Sequence, residues 1–339
     1  MTEVYDSIVG AGVALVDCLA DVDAKLNATI GAGRAKGLSG RDLADHVHDV
    51  LGQPVPPALH LAPIEAWLEA MPLATPKKPG KRYRHRLADT KYAGIEKDSL
   101  IWKHGGDTML ASVIRCGGIN MGTDKLGHFF QLGYSLRDDL RGLKGAAART
   151  RARTWNRASE MGTFGLDITQ VFSWADIAAN MAGARFYRDL EAGMTGKVSL
   201  ASRITRDWNE ESRNSDYSRT LGSVVWNNVV PGAWDSRFTV FPNAATVPCT
   251  VSITRLMKDV FVGTYEYISA GKSVGGDLTL ALTLRTHGRV VKGADLKGSW
   301  SSGSARGGVL LKSDSESSFT GTWGHGSHTT GGGDWSFIR

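Results

Sequence analysis

Two polar patterns in the middle of the chain combine residue types that could do chemistry together. In the stretch GTDKLGHFFQLGYSL, Asp124 and His128 stand four residues apart, so both lie on one face of a predicted helix. In the stretch VFSWADIAANMAGARFY, Asp176 and Asn180 repeat that spacing. Two helices that pack with these faces together would bring two carboxylates, an imidazole and an amide into one polar site.

Such a site has two chemical interpretations that the spacing leaves open. Asp124, His128 and Asp176 offer oxygen and nitrogen ligands that suit a divalent cation such as Zn²⁺, Mn²⁺ or Mg²⁺. Without a metal, a histidine oriented by an aspartate is a competent general base. Either chemistry activates water, so these three residues and Asn180 are the candidate catalytic residues. We expect supporting roles for four further side chains: Lys125, Gln131, Ser173 and His104.

A purely structural explanation of the same residues is equally open. Thr123 is placed to cap a helix that begins at Asp124, and an acidic residue suits the first turn of a helix. Ser173 and Asp176 have the spacing of a capping box, with Asp in place of the usual Glu. In that case His128 would be a core histidine in a buried network that fixes helix packing.

The two patterns together resemble a motif pair found in a loose group of bacterial proteins. The pair reads D-K-x-x-H-F followed by S-x-x-D-x-x-A-N-x-x-G, and VanZ-like envelope proteins and small bacterial lipoproteins carry versions of it. The matching positions here are Asp124, Lys125, His128, Phe129, Ser173, Asp176, Asn180 and Gly183. The resemblance implies a connection with the bacterial cell envelope. VanZ-like proteins span membranes, and this sequence has no apolar run of about 18 residues that would do so.

Composition limits the class of protein without naming its function. The chain has 339 residues, of which 42% are hydrophobic and 22% are charged, and its formal net charge is +6. Three cysteines far apart form neither a disulfide framework nor a CxxC motif, which fits folding in a reducing compartment. The first residues lack the pattern of a secretory signal. We therefore expect synthesis in the cytoplasm without a signal peptide, and export by a dedicated secretion system if the protein acts outside the cell.

Changes in the spacing of apolar residues along the chain predict an α+β protein, mainly helical at first and ending in a small antiparallel β barrel. Residues 278–285 alternate leucine with Thr, Ala or Arg, which is typical of a half-buried strand, and further short strands follow glycine and serine turns. The predicted segments are an N-terminal helical segment (1–71), a basic linker (72–92), a helical core (93–195), an irregular connection (196–248) and the barrel (249–339).

Two functions of different classes follow. The first is a bacterial hydrolase acting on a cell-envelope component, lipid or glycan, and exported as a toxin or effector. Its cofactor is unknown, with a divalent metal as the candidate, and its expected partner is an anionic envelope component or lipid surface. The second is a non-enzymatic binding protein whose barrel binds a ligand or partner and whose Asp/His cluster is structural. No P-loop, GxSxG or Rossmann pattern occurs, and the basic segments match no nucleic-acid-binding motif.

Overall fold

The computed structural model describes residues 12–54, 61–95, 110–212, 215–240 and 245–339. These residues form two compact units. The first, which we call the helical unit, lies within residues 1–90 and 100–215. The second, the barrel unit, lies within residues 91–99 and 216–339. The expected α+β class, with helices first and an antiparallel barrel after them, is confirmed.

The helical unit combines helices with a few short strands. Its helices are α1 (Leu19–Ala35), α2 (Gly40–Leu51), α3 (Pro63–Glu69), α4 (Asp124–Gly127), α5 (Gly133–Asp139), α6 (Gly145–Met161) and α7 (Trp174–Glu191). Its strands are β1 (Arg82–Tyr83), β2 (Val113–Cys116), β3 (Ile119–Gly122) and β4 (Val171–Phe172), of which the first three form an antiparallel sheet. No helix in the described residues has the length and apolar character needed to cross a membrane.

A π-helical turn, His128–Leu132, joins α4 to α5 and carries half of the first motif. Two glycines let α7 approach it closely, because a Cβ at Gly183 would lie 2.0 Å from the Phe129 carbonyl oxygen. Gly133 faces Gly183 at the same contact. The Tyr187 hydroxyl donates to the Phe130 carbonyl at 2.9 Å. Because π turns are rare and concentrate at functional sites, this segment is a candidate position for a functional site.

The barrel unit contains eight antiparallel strands joined in sequence order into a closed barrel. They are β6 (Gly232–Val240), β7 (Ala245–Met257), β8 (Val260–Ser269), β9 (Lys272–His287), β10 (Val290–Ser302), β11 (Ala305–Ser315), β12 (Ser318–His325) and β13 (Gly333–Ile338). Each strand pairs with the next, and β13 pairs with β6, which closes the ring. Closure removes the exposed sheet edges that favour aggregation.

Large apolar side chains fill the interior of this barrel. Leu278 and Leu280 of β9 are buried while Thr279 between them is exposed, as the alternation predicted. Phe319 packs edge-on against Trp226 and Trp234, with ring centroids 5.8 and 5.6 Å away. A barrel filled in this way gains stability from the apolar side chains packed in its interior.

The barrel begins earlier than the sequence indicated. Residues 216–240 were expected to be irregular, but they form β5 (Asp216–Ser218), helix α8 (Arg219–Val229) and strand β6. The polar residues that hid this strand have partners: Ser236 points inward and its hydroxyl accepts from the Trp335 indole at 2.8 Å. An inward polar residue interrupts the apolar alternation by which a strand is recognised.

Residues 72–90 also differ from the expected basic linker, because they belong to the helical unit. His85 and Leu87 are buried, and the Arg82 guanidinium donates to the Met71 carbonyl at 2.8 Å. A Cβ at Gly80 would lie 2.3 Å from the backbone nitrogen of Ala74, so the chain folds tightly back on itself here. The prolines and lysines of this segment lie in an ordered loop with buried anchors.

Candidate functional site

Lys125 lies at the centre of a buried cluster of carboxylates. Its side chain is fully buried, and its ammonium lies 3.0 Å from Asp124 Oδ2, 2.5 Å from Asp176 Oδ1 and 2.8 Å from Glu210 Oε1. Burial alone would lower the pKa of Lys125, but the three carboxylates outweigh it and hold that pKa well above its usual value. Lys125 is therefore a permanent cation that neutralises part of this acidic site.

His128 lies beside this cluster with both ring nitrogens against acceptors. Its Nε2 is 3.3 Å from Asp176 Oδ2, and its Nδ1 is 3.2 Å from Asn180 Oδ1. The Asn180 amide nitrogen donates to Asn156 Oδ1 at 3.1 Å, and the Asn156 amide nitrogen donates to the Ala152 carbonyl at 2.9 Å. This chain of amides fixes Asn180 Oδ1 as an acceptor, so Nδ1 of His128 carries a hydrogen.

The orientation of His128 has a direct chemical consequence. When Nδ1 is protonated in a neutral imidazole, Nε2 presents a lone pair. Here that lone pair points towards the Asp176 carboxylate, which is repulsive unless a proton or a metal cation lies between them. Metal-binding histidines commonly have this arrangement, with one nitrogen on the metal and the other donating to a fixed acceptor.

Glu160 supplies a third ligand group on the same side of the site. Its side chain is buried, and its Oε2 accepts from the Ser173 backbone N–H at 3.1 Å. Its Oε1 is buried without a hydrogen-bond partner in the described structure. Burial first, and then the Asp176 carboxylate, raise the pKa of Glu160 well above its usual value. Ligand atoms of His128, Glu160 and Asp176 lie within 4.8 Å of one another, close enough to hold one ion.

A second acidic group, Asp124, Asp176 and Glu210, has the same compactness, but the Lys125 ammonium lies among its oxygens. An ammonium and a divalent cation would compete for that place. The structure therefore groups Asp124 with Lys125, and it groups Glu160 with His128 and Asp176. We interpret the first group as a charge-neutralising support and the second as the candidate metal centre.

A cleft of about 610 Å³ gives access to the site. Its polar wall includes Glu65, Glu69, Asp124, His128, Gln131 and Asp176. Its other wall is apolar and includes Leu132, Phe164 and Ile168. Burial first, and then the Asp124 carboxylate, raise the pKa of Glu65 to about 8. The lining of the cleft thus combines partly desolvated acidic groups with apolar side chains.

Most of the residues singled out in the sequence meet here. Asp124, Lys125, His128, Ser173, Asp176 and Asn180 lie together, and Gln131 lines the cleft. His104 falls outside the described residues. The Ser173 hydroxyl accepts from the Asp176 N–H at 3.1 Å, as a helix cap does. The expected cap at Thr123 is wrong, because its hydroxyl donates to Glu69 Oε1 at 2.6 Å.

Sequence reasoning missed Asn156, Glu160 and Glu210. The first two stand four residues apart in the arginine-rich helix α6, the same spacing as the two recognised pairs. The surrounding arginines are typical of a solvated segment, and this concealed the signal. Glu210 lies just after a 3₁₀ turn, Arg206–Trp208, in a segment without periodicity. Only the fold brings its carboxylate to Lys125.

Comparisons with known proteins give no functional precedent. No protein-family model and no curated protein matches the chain. Among solved structures, a redesigned beta barrel, a de novo designed fluorescence-activating beta barrel and the redesigned barrel mFAP1 bound to DFHBI each match 33% of this chain. Their identities are 16%, 18% and 15%, their TM-scores are 0.26, 0.26 and 0.27, and 93%, 95% and 97% of those chains are covered. At these TM-scores the likeness carries no argument.

Proposed function

We propose that the protein is a metal-dependent hydrolase acting on a component of the bacterial cell envelope. One observation carries the proposal: the amide chain from Ala152 makes His128 Nδ1 a donor and leaves Nε2 3.3 Å from Asp176, within the compact group that His128, Asp176 and Glu160 form. One imidazole and two carboxylates are ligands that suit Zn²⁺ or Mn²⁺. A divalent cation held by these residues would lower the pKa of bound water and so supply hydroxide for attack on an ester or related bond near neutral pH.

The residues around the centre have separate tasks. Asn180 keeps the proton on His128 Nδ1 and so keeps Nε2 free as a ligand. Lys125 offsets the charge of Asp124, Asp176 and Glu210, which lets these three carboxylates lie close together. Asp124 borders the cleft, where its carboxylate can take a proton from an attacking water. The apolar wall excludes water from the rest of the substrate.

The cell-envelope target and the role as an exported toxin or effector rest on the motif resemblance and on the cleft. The amphipathic cleft suits a substrate with a polar bond beside an apolar body. The non-enzymatic alternative is that the barrel unit binds a ligand or partner, and packed side chains such as Phe319 and Trp234 occupy part of the barrel interior. A structural role fits the Lys125 cluster well, but it leaves the partnerless Glu160 oxygen without an explanation.

The experiment measures bound metal and hydrolysis in the same preparations. Chromogenic carboxylic esters and phosphodiesters would be offered with Zn²⁺, Mn²⁺ or Mg²⁺ to wild type, His128→Ala and Glu160→Gln. We expect metal-dependent turnover in the wild type and at least a 100-fold loss in both variants. The exposed pair His287→Ala and Glu266→Gln provides the matched control and should retain full activity. Equal turnover in His128→Ala and wild type would contradict the proposal.

A further inference from the structure

Helix α6 has two faces with different chemistry. Ala152, Asn156 and Glu160 recur at every fourth residue and are buried towards the site. Arg149, Arg153 and Arg157 recur at the same spacing and are exposed. In the described structure these three arginines have no ion-pair or hydrogen-bond partner, whereas Arg151 is paired with Asp139 at 2.6 Å. The helix therefore presents an unneutralised row of positive charge, which we call the arginine row.

Large apolar side chains lie exposed at both ends of this helix. Leu143 precedes it and is 37% exposed, and Phe164 and Ile168 follow it and are 45% and 37% exposed. Trp174, at the start of α7, is 36% exposed. Phe164 and Trp174 are the aromatic members of the exposed large hydrophobic set in the described chain. Phe164, Ile168 and Trp174 fall within eleven residues beyond one end of the helix, and exposed apolar side chains grouped in this way mark an interaction site rather than chance exposure.

Charge and apolarity here match one kind of partner. Between residues 143 and 170 the sequence carries five basic and two acidic residues, and one of the acidic residues is the buried Glu160. Basic side chains are attracted to anionic lipid headgroups, and exposed Phe, Trp, Leu and Ile insert at the boundary between headgroups and acyl chains. A nucleic acid would use the arginines but would give Leu143 and Ile168 no apolar environment.

We propose that the arginine row and the residues Leu143, Phe164, Ile168 and Trp174 dock the protein on an anionic lipid bilayer. Phe164 and Ile168 also form part of the cleft wall, so docking would place the cleft mouth at the lipid surface. The substrate class implied is a lipid that enters the cleft from the bilayer. This substrate assignment rests on the function proposed above, but the docking itself does not.

The test is cosedimentation of the full chain with vesicles. Vesicles of phosphatidylcholine alone would be compared with vesicles in which phosphatidylglycerol replaces part of it. The first variant carries Arg149→Ser, Arg153→Ser and Arg157→Ser, and the second carries Phe164→Ser and Ile168→Ser. A matched control replaces three exposed basic residues elsewhere, Lys36→Ser, Lys197→Ser and Arg306→Ser. His128→Ala is included because it removes hydrolysis without touching the docking surface.

We expect wild type, the control and His128→Ala to bind anionic vesicles and to bind neutral vesicles much more weakly. The arginine variant should lose about 100-fold in affinity, since each basic residue near an anionic surface contributes a several-fold factor. The apolar variant should lose at least about tenfold. Equal binding to both vesicle types, equal binding by the arginine variant and the control, or binding only to a single-stranded oligonucleotide would overturn the docking. Docking without hydrolysis of any bilayer lipid would overturn the substrate assignment and leave the docking intact.

Discussion

The helical unit and the barrel unit both bury an apolar core, but they differ in the charged groups that they bury beside it. The barrel core consists of apolar and aromatic side chains, among them Phe261, Phe319 and Phe337, all with no exposed surface. The helical unit buries Lys125 and Glu160 completely, close to further carboxylates. Burial of charge costs free energy unless every partner is present, whereas apolar burial stabilises directly. The barrel core therefore stabilises directly, whereas the helical unit gives up part of the stability of its own apolar core to hold the candidate site.

Substitution of Lys125 should produce the largest effect on the helical side of this comparison. Lys125→Met removes the cation and leaves Asp124, Asp176 and Glu210 facing one another without it. We expect the free energy of unfolding to fall by about 5 kcal/mol, or the unit to fail to fold. Urea unfolding measures this change in the free energy of unfolding, and the exposed substitution Lys197→Met is the control. Near-wild-type stability would show that the carboxylates do not depend on the ammonium.

Substitution in the barrel core should lower the free energy of unfolding nearly as much, but it should not change the candidate site. Phe319→Ala removes a fully buried ring that contacts Trp226 and Trp234. We expect a loss of about 4 kcal/mol in the free energy of unfolding, detected by tryptophan fluorescence. Metal binding by the helical unit should remain unchanged under folding conditions. If Phe319→Ala abolished metal binding while the chain stayed folded, the division of roles between the units would be wrong.

Glu65 makes stability depend on pH in a direction opposite to that of an ordinary paired carboxylate. Burial raises its pKa from 4.5 in the unfolded chain to about 8 in the fold. The fold therefore favours the protonated form, and its contribution to stability is complete below pH 4.5 and is lost as the pH rises through about 8. Glu65→Gln should remove roughly 5 kcal/mol of this pH-dependent loss, because each pKa unit between 4.5 and about 8 corresponds to about 1.4 kcal/mol.

Urea unfolding of wild type and Glu65→Gln at pH 5, 7 and 9 measures that difference. The stability of the variant relative to wild type should increase steadily with pH. Glu266→Gln, at an exposed position of the barrel, should show no such trend. A constant difference between Glu65→Gln and wild type across this range would mean that Glu65 titrates normally in the fold.

How much of each region could be predicted from sequence follows from the same contrast. Strand β9 was visible because its leucines alternate with polar residues, and burial follows that alternation. Strand β6 was not visible, because inward Ser236 obtains its hydrogen bond from Trp335, which is 99 residues away in sequence. The local sequence pattern identifies a helix or strand when burial follows the spacing of apolar residues. The pattern fails when a partner distant in sequence allows a polar residue to be buried.

The candidate site shows the same limit. The pairs Asp124/His128 and Asp176/Asn180 were recognisable because each occupies one helix face, and the structure brings the two helices together. The Asn156/Glu160 pair has equal spacing, but the arginines around it suggested a solvated helix. One face of a helix can present charged residues to solvent while its other face presents site residues to the interior. The composition of the segment does not separate these two faces, so it does not reveal the buried pair.

The measurement that tests the central claim most directly is the change in melting temperature on addition of a divalent cation. Metal that binds the folded chain alone stabilises it by about 2.7 kcal/mol at a concentration 100 times its Kd. We expect Zn²⁺ or Mn²⁺ to raise the melting temperature of wild type and His287→Ala, and to leave His128→Ala and Glu160→Gln unchanged. An equal rise in all four proteins, or none in wild type, would contradict a metal centre at His128, Glu160 and Asp176.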